Sequence, residues 1–200
     1  MVKTVAGYRC SRHGSSKTSR ITPCHATLFW QYIGERTRPA SAHNGRGELS
    51  VALHIPQLLY EELCRHGEEN YPLECCGALV GEFAGPDKHV RRVVRCANAH
   101  KDARTRYQIS PVELFRIQHE AAKDELEIVG FYHSHPGHPA QWSATDLAEA
   151  YWTGCSYVIT RVDQGQAGAT CSFLLTGGET DKKLEDEPLL VAGNSGIDCE

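Results

Sequence analysis

Gly130-Phe-Tyr-His-Ser-His-Pro-Gly-His-Pro-Ala-Gln-Trp-Ser-Ala-Thr-Asp146 gathers three imidazoles, two serines and a carboxylate within one short stretch. Its approach, Glu127 to Tyr132, is apolar and predicts a strand. Residues i and i+2 of a strand share a face, so His133 and His135 can converge on one ion. Pro136 then ends the pairing, because it has no N–H to offer a ladder. Ser143 predicts the start of a short helix running to about Trp152, whose first turn carries Asp146 back over the strand end. Two neutral imidazoles and a carboxylate suit one Zn²⁺ and leave a position for a bound water, whose pKa falls to about 7 on the metal. With 11 histidines in 200 residues, roughly 0.6 His-x-His pairs arise by chance, so the pair alone decides little. Pro136 and the Ser-x-x-Asp at a set offset carry the signal. Taken alone, Ser143 and Asp146 would read as a helix N-cap and its N3 acid. His138 reads as a solvated loop histidine.

Outward from that stretch the chain alternates strands and helices. Leu49 to His54 alternates like a strand, and Pro56 sits at a plausible first turn of a helix over Gln57 to Glu69, with Leu58, Leu59 and Leu63 on its buried side. Cys76 to Gly81 and His89 to Cys96 read as strands. Ser110-Pro111-Val-Glu113 starts a helix to about Asp124, with Ser110 as N-cap and Glu113 placed for a capping box. Strands follow at Ser156 to Arg161 and Thr170 to Leu175, then an acidic stretch, Asp181 to Glu187, and a short apolar run, Leu189 to Val191. Strands interleaved with three helices predict a single α/β domain with a mixed sheet.

The ends differ from this body. Residues 1–47 carry eight basic side chains against Glu35 alone, with no sustained period, and predict a disordered, dispensable extension. Residues 48–192 form the expected domain, and 193–200 a flexible tail. Without residues 1–47 the balance is 13 basic to 24 acidic side chains, which argues against nucleic acid as a partner. No apolar run approaches the roughly 18 residues of a membrane span, so no membrane association is expected. Nine cysteines without a C-x-x-C pair predict buried free thiols, and with them a cytoplasmic location.

Glu74 in Tyr71-Pro-Leu-Glu-Cys-Cys-Gly-Ala-Leu-Val-Gly81, followed by His133-Ser-His135-Pro136 and Ser143-x-x-Asp146, resembles the JAMM (MPN-domain) zinc metallopeptidases of compact prokaryotic type. The resemblance covers roughly residues 49–192. It implies a curved mixed sheet flanked by helices, of the MPN/cytidine-deaminase-like kind. It implies that His133, His135 and Asp146 bind zinc, that Glu74 is the general base, and that Ser143 hydrogen-bonds the developing oxyanion. It implies as substrate a ubiquitin-like or sulfur-carrier protein, cut after its C-terminal Gly-Gly, for instance to release a terminal cysteine. Nothing in spacing alone singles out Glu74.

Two alternatives share the fold: a non-catalytic MPN-type scaffold binding ubiquitin-like partners, and a RadC-like, DNA-associated protein. The full set of base, ligands and serine speaks against the first. The Glu-Cys-Cys-Gly context and the acidic body speak against the second. A zinc nucleobase deaminase is excluded, because no H-x-E is followed by P-C-x-x-C.

Overall fold

The strand that delivers His133 is longer than its apolar run: β4 spans Glu127–Pro136 and keeps both histidines inside its ladder. The computed structural model describes residues 51–192, so the expectations for residues 1–47 and 193–200 lie outside the described residues. Around β4 the order is β1 (Leu53–Pro56), α1 (Gln57–Asn70), β2 (Cys76–Ala84), β3 (Asp87–Cys96), α2 (Pro111–Lys123), β4, α3 (Ala144–Glu149), β5 (Ser156–Asp163), β6 (Gln166–Thr176), β7 (Lys183–Glu187) and β8 (Leu189–Ala192).

The strands form one sheet in the order β7-β6-β5-β4-β2-β3-β1-β8. It is mixed: β2 pairs antiparallel with β3 and β4, whereas β4 and β5 run parallel. The two edge strands are neighbours in sequence, with Pro188 alone between them. The sheet must therefore curl until its edges approach, well beyond ordinary twist. Two contacts mark the closure: Leu53 N–H donates to Pro188 O at 2.9 Å, and Lys88 of β3 lies 2.6 Å from Glu187 of β7.

Each face of the sheet builds its own core. Tyr132, Val129, Leu79 and Val158 pack with Leu63 of α1, whereas Phe131, Cys76, Ile159 and Phe173 pack with Ile117 and Ala121 of α2. Leu63 and Ile117 are each 1% exposed, and burial on that scale contributes about 2 kcal/mol apiece. Gly77 leaves room for this packing, because a Cβ there would lie 2.3 Å from the Tyr132 ring.

Several sequence expectations need correction. Leu58 points to solvent at 77% exposure, and the buried side of α1 is Leu63, His66 and Gly67. Adjacent helix positions are rotated by about 100°, so Leu58 and Leu59 do not share a face. Ser110 caps α2 by accepting from Glu113 N–H, but the Glu113 carboxylate turns to Arg116 at 3.0 Å instead of closing a box. Helix α3 ends at Glu149, short of Trp152. Ala150 there adopts an extended conformation, and Lys182 Nζ takes the freed carbonyls of Ala148 and Ala150 at 2.7 and 3.0 Å. The acidic stretch is strand β7, with Leu184 and Glu187 buried. Cys64, Cys75, Cys76, Cys96 and Cys155 are free thiols, but Cys171 is disulfide-bonded, against the expectation for it.

Candidate metal centre

Alternation along β4 sets the site. Phe131, His133 and His135 face α2, while Tyr132 and Ser134 face α1. The back face is anchored in three places. Tyr132 Oη lies 2.8 Å from His66 Nδ1, Ser134 Oγ accepts from Cys75 N–H at 2.9 Å, and Ser134 N–H donates to Cys75 O at 3.2 Å. Gly67 allows α1 to come this near, since a Cβ would stand 3.4 Å from Ser134 Cβ and 3.0 Å from Val162. The histidines thus project from a backbone held from behind.

His133 and His135 are buried, at 1% and 8% exposure, although both are polar. Their Nε2 atoms are 3.0 Å apart. Asp146 Oδ1 is 3.4 Å from His133 Nε2, and Asp146 Oδ2 is 3.6 Å from His135 Nε2. A tetrahedral ion at zinc's usual ~2.0–2.1 Å from N and O ligands holds its donors roughly 3.4 Å apart. The Nε2–Nε2 gap lies below that figure, and the two gaps to Asp146, each to a different oxygen, lie at or just above it. Second partners agree as well: His135 Nδ1 donates to Pro139 O at 2.8 Å, which leaves a lone pair on Nε2. Burial pushes His133 towards its neutral form, the one that can ligate. Among the described residues, these three form a group able to hold a metal ion.

Asp146 is presented by the start of α3, where the helix cap and the site use the same atoms. Ser143 N–H and Oγ donate to Asp146 Oδ2 at 2.7 and 2.6 Å, and Asp146 N–H returns to Ser143 Oγ at 3.2 Å. The capping box expected of Ser143 and Asp146 taken alone is complete. Burial opposes ionisation of Asp146, but the imidazoles of His133 and His135 beside it and the hydrogen bonds from Ser143 hold its carboxyl well below the usual range.

Glu74 reaches this centre through pairing of β2 with β4. Cys76 pairs with His133, and continuing that antiparallel register by two residues sets Glu74 across from His135 on the same face. It is 6% exposed. Burial pushes its carboxyl up to about 7; His135 opposes the rise, and the charges of Asp146 and Glu149 add to it. The structure thus brings Glu74, His133, His135, Ser143 and Asp146 to one end of one sheet face. His138 is exposed, as a solvated loop histidine should be.

Two neighbours escaped the sequence reading. The Tyr107 ring stacks on His133 with centroids 4.4 Å apart, and Pro139 O orients His135. One is an aromatic in an irregular loop and the other a main-chain carbonyl, and neither leaves a periodic or spaced signal.

Residues 56–174 match the family described as prokaryotic homologs of the JAB domain. The chain belongs to that family. The match includes all five residues of the centre. This JAB-family chain is similar to a probable TtuB-protein conjugate cleaving protease of Thermus thermophilus, with 32% identity over 148 residues, 74% of this chain and 89% of that one. It is also similar to the desampylase of Haloferax volcanii, with 35% identity over 95 residues, 46% and 65% of the two chains. A solution structure of a Desulfitobacterium hafniense protein superposes with a TM-score of 0.61 at 25% identity, covering 71% of this chain and 94% of that one. The curved mixed sheet flanked by helices is therefore the family architecture.

Proposed function

We propose that this chain is a zinc metallopeptidase that hydrolyses the peptide or isopeptide bond after the C-terminal Gly-Gly of a ubiquitin-like or sulfur-carrier protein. The observation that carries the reading is a three-donor cluster of zinc-like spacing with a buried carboxylate, Glu74, across from one of its ligands. The named relatives act on conjugates of such small proteins, and this supports the substrate class.

His133, His135 and Asp146 would hold one ion. When bound, zinc supplies Lewis-acid polarisation of a carbonyl and lowers the pKa of a coordinated water. Glu74 takes the proton of the attacking water and hands it to the leaving amine; a carboxyl held near neutrality is suited to both transfers. Ser143 Oγ turns from Asp146 to donate to the developing oxyanion. Tyr107 and the β4 backbone keep His133 and His135 from reorienting as charge develops.

The test mixes the full zinc-loaded chain, or its Glu74→Ala variant, with a sulfur-carrier protein extended by cysteine after Gly-Gly, and weighs the products. Loss of the extension with wild type alone is the expected result. An intact extension in the presence of bound zinc would instead support the scaffold reading.

A further inference from the structure

Glu74 precedes β2, so both of its main-chain groups need partners outside that strand. One loop supplies them. Glu74 N–H donates to Ala103 O at 2.7 Å, and Glu74 O accepts from Asn98 Nδ2 at 3.0 Å. The Asn98 side chain spans the loop it belongs to. Its Nδ2 also donates to Arg106 O at 3.0 Å, and its Oδ1 accepts from His100 N–H at 3.0 Å and Gln108 N–H at 3.1 Å. A primary amide has two donors and two acceptor lone pairs, so all four are used. The same loop places Tyr107 on His133 and brings Arg106 within 3.8 Å of Glu149 on α3, the helix that carries Asp146.

We infer that Asn98 is a positioning residue for the reaction: it ties the ends of the loop together and fixes the backbone of Glu74 in register with the metal ligands. The inference rests on the reading of Glu74 as general base. Asn98 acts through Glu74, whose carbonyl it holds. A displacement of about 1 Å in a catalytic group can cost 10²-fold in rate.

Two variants separate positioning from general support of the fold. Asn98→Asp keeps the two acceptor bonds and removes the donors to Glu74 O and Arg106 O, whereas Asn98→Ala removes all four bonds. With the cysteine-extended carrier, Asn98→Asp should lower kcat 10- to 100-fold and leave KM and zinc affinity within about twofold. In a Glu74→Gln background the same substitution should leave the residual kcat unchanged, because the group it positions is already gone. An unchanged kcat in Asn98→Asp, or an equal loss in the Glu74→Gln background, overturns the assignment.

Hydrogen exchange without substrate gives a second, activity-free arm. The Glu74 amide should exchange at least tenfold faster in Asn98→Asp, and a Glu74 amide as protected as in wild type overturns the inference. If wild type cleaves no carrier, the proposed function falls, and the exchange arm still decides what Asn98 holds. Should Asn98→Ala not fold, Asn98→Asp carries both arms.

Discussion

The sheet buries two clusters of ionisable groups, and they are built on opposite plans. At one, Lys88 Nζ meets Glu187 Oε1 at 2.6 Å, Ser172 Oγ donates to Glu187 Oε2 at 2.6 Å, and Gly154 O takes a further Lys88 proton at 3.4 Å. Charges cancel within the protein, although Glu187 Oε1 meets Lys88 as an ion pair without a well-directed hydrogen bond. At the other, two imidazole nitrogens and a carboxylate converge within 4.8 Å with too few protons to satisfy one another. His133 Nδ1 is buried without a hydrogen-bond partner among the described residues. Cancellation of charge marks the first cluster as structural, where the sheet closes on itself. Convergence of lone pairs marks the second as a place for a cation.

The contrast breaks most visibly at the open cluster. His135→Ala should abolish zinc binding, read by metal analysis, and with it measurable cleavage. Glu74→Gln should keep the zinc and lose about 10²–10⁴-fold in kcat, the usual contribution of a general base. If Glu74 is the base it must work deprotonated, so activity in wild type should rise with pH through the Glu74 pKa. That value is about 7 without an ion, and positive charge beside it moves the rising limb lower.

At the closed cluster, activity is not the sensitive quantity. Lys88→Met leaves Glu187 charged and alone, and should destabilise the fold by about 3–5 kcal/mol in urea unfolding. Pairing Lys88→Met with Glu187→Leu should recover most of that loss, since an apolar pair replaces a buried ion pair at little cost. No such recovery is expected from any double change among His133, His135 and Asp146, where the partner to be replaced would be an ion.

His66 gives a smaller effect on the back face of β4. Burial, aided by the Arg95 charge and opposed by Glu69, lowers its pKa to about 4 from the 6.5 of an exposed imidazole. Between those values the unfolded chain binds a proton that the folded chain refuses. The stability is fully present above pH 6.5 and is lost as pH falls towards 4, by about 3 kcal/mol in total. His66→Gln should flatten this part of the pH–stability curve. The smallest expected change is Ser110→Ala, which removes the cap of α2 and costs about 1 kcal/mol, seen as a small drop in urea midpoint.

The parts legible in the sequence were those whose signal is local. Alternation put His133 and His135 on one face, and the helices start where their proline and cap residues put them, although α3 ends at Glu149. Strand β7 was not legible, because Lys183 to Glu187 looks like a solvated charge run; Glu187 is buried only because Lys88 meets it from far along the chain. Leu58 was misplaced because three leucines so close together do not say which arc of the helix meets the sheet.

By itself the sequence determined the α/β class and the convergence of His133 and His135, since strand geometry turns an i, i+2 pair into a convergent one without help from the rest of the chain. The tertiary structure alone decided where Glu74 stands. Its place beside His135 depends on the antiparallel register of β2 on β4, and its backbone is held by a loop centred on Asn98. Register and loop closure arise from contacts between distant segments, and no local pattern of residue types encodes them.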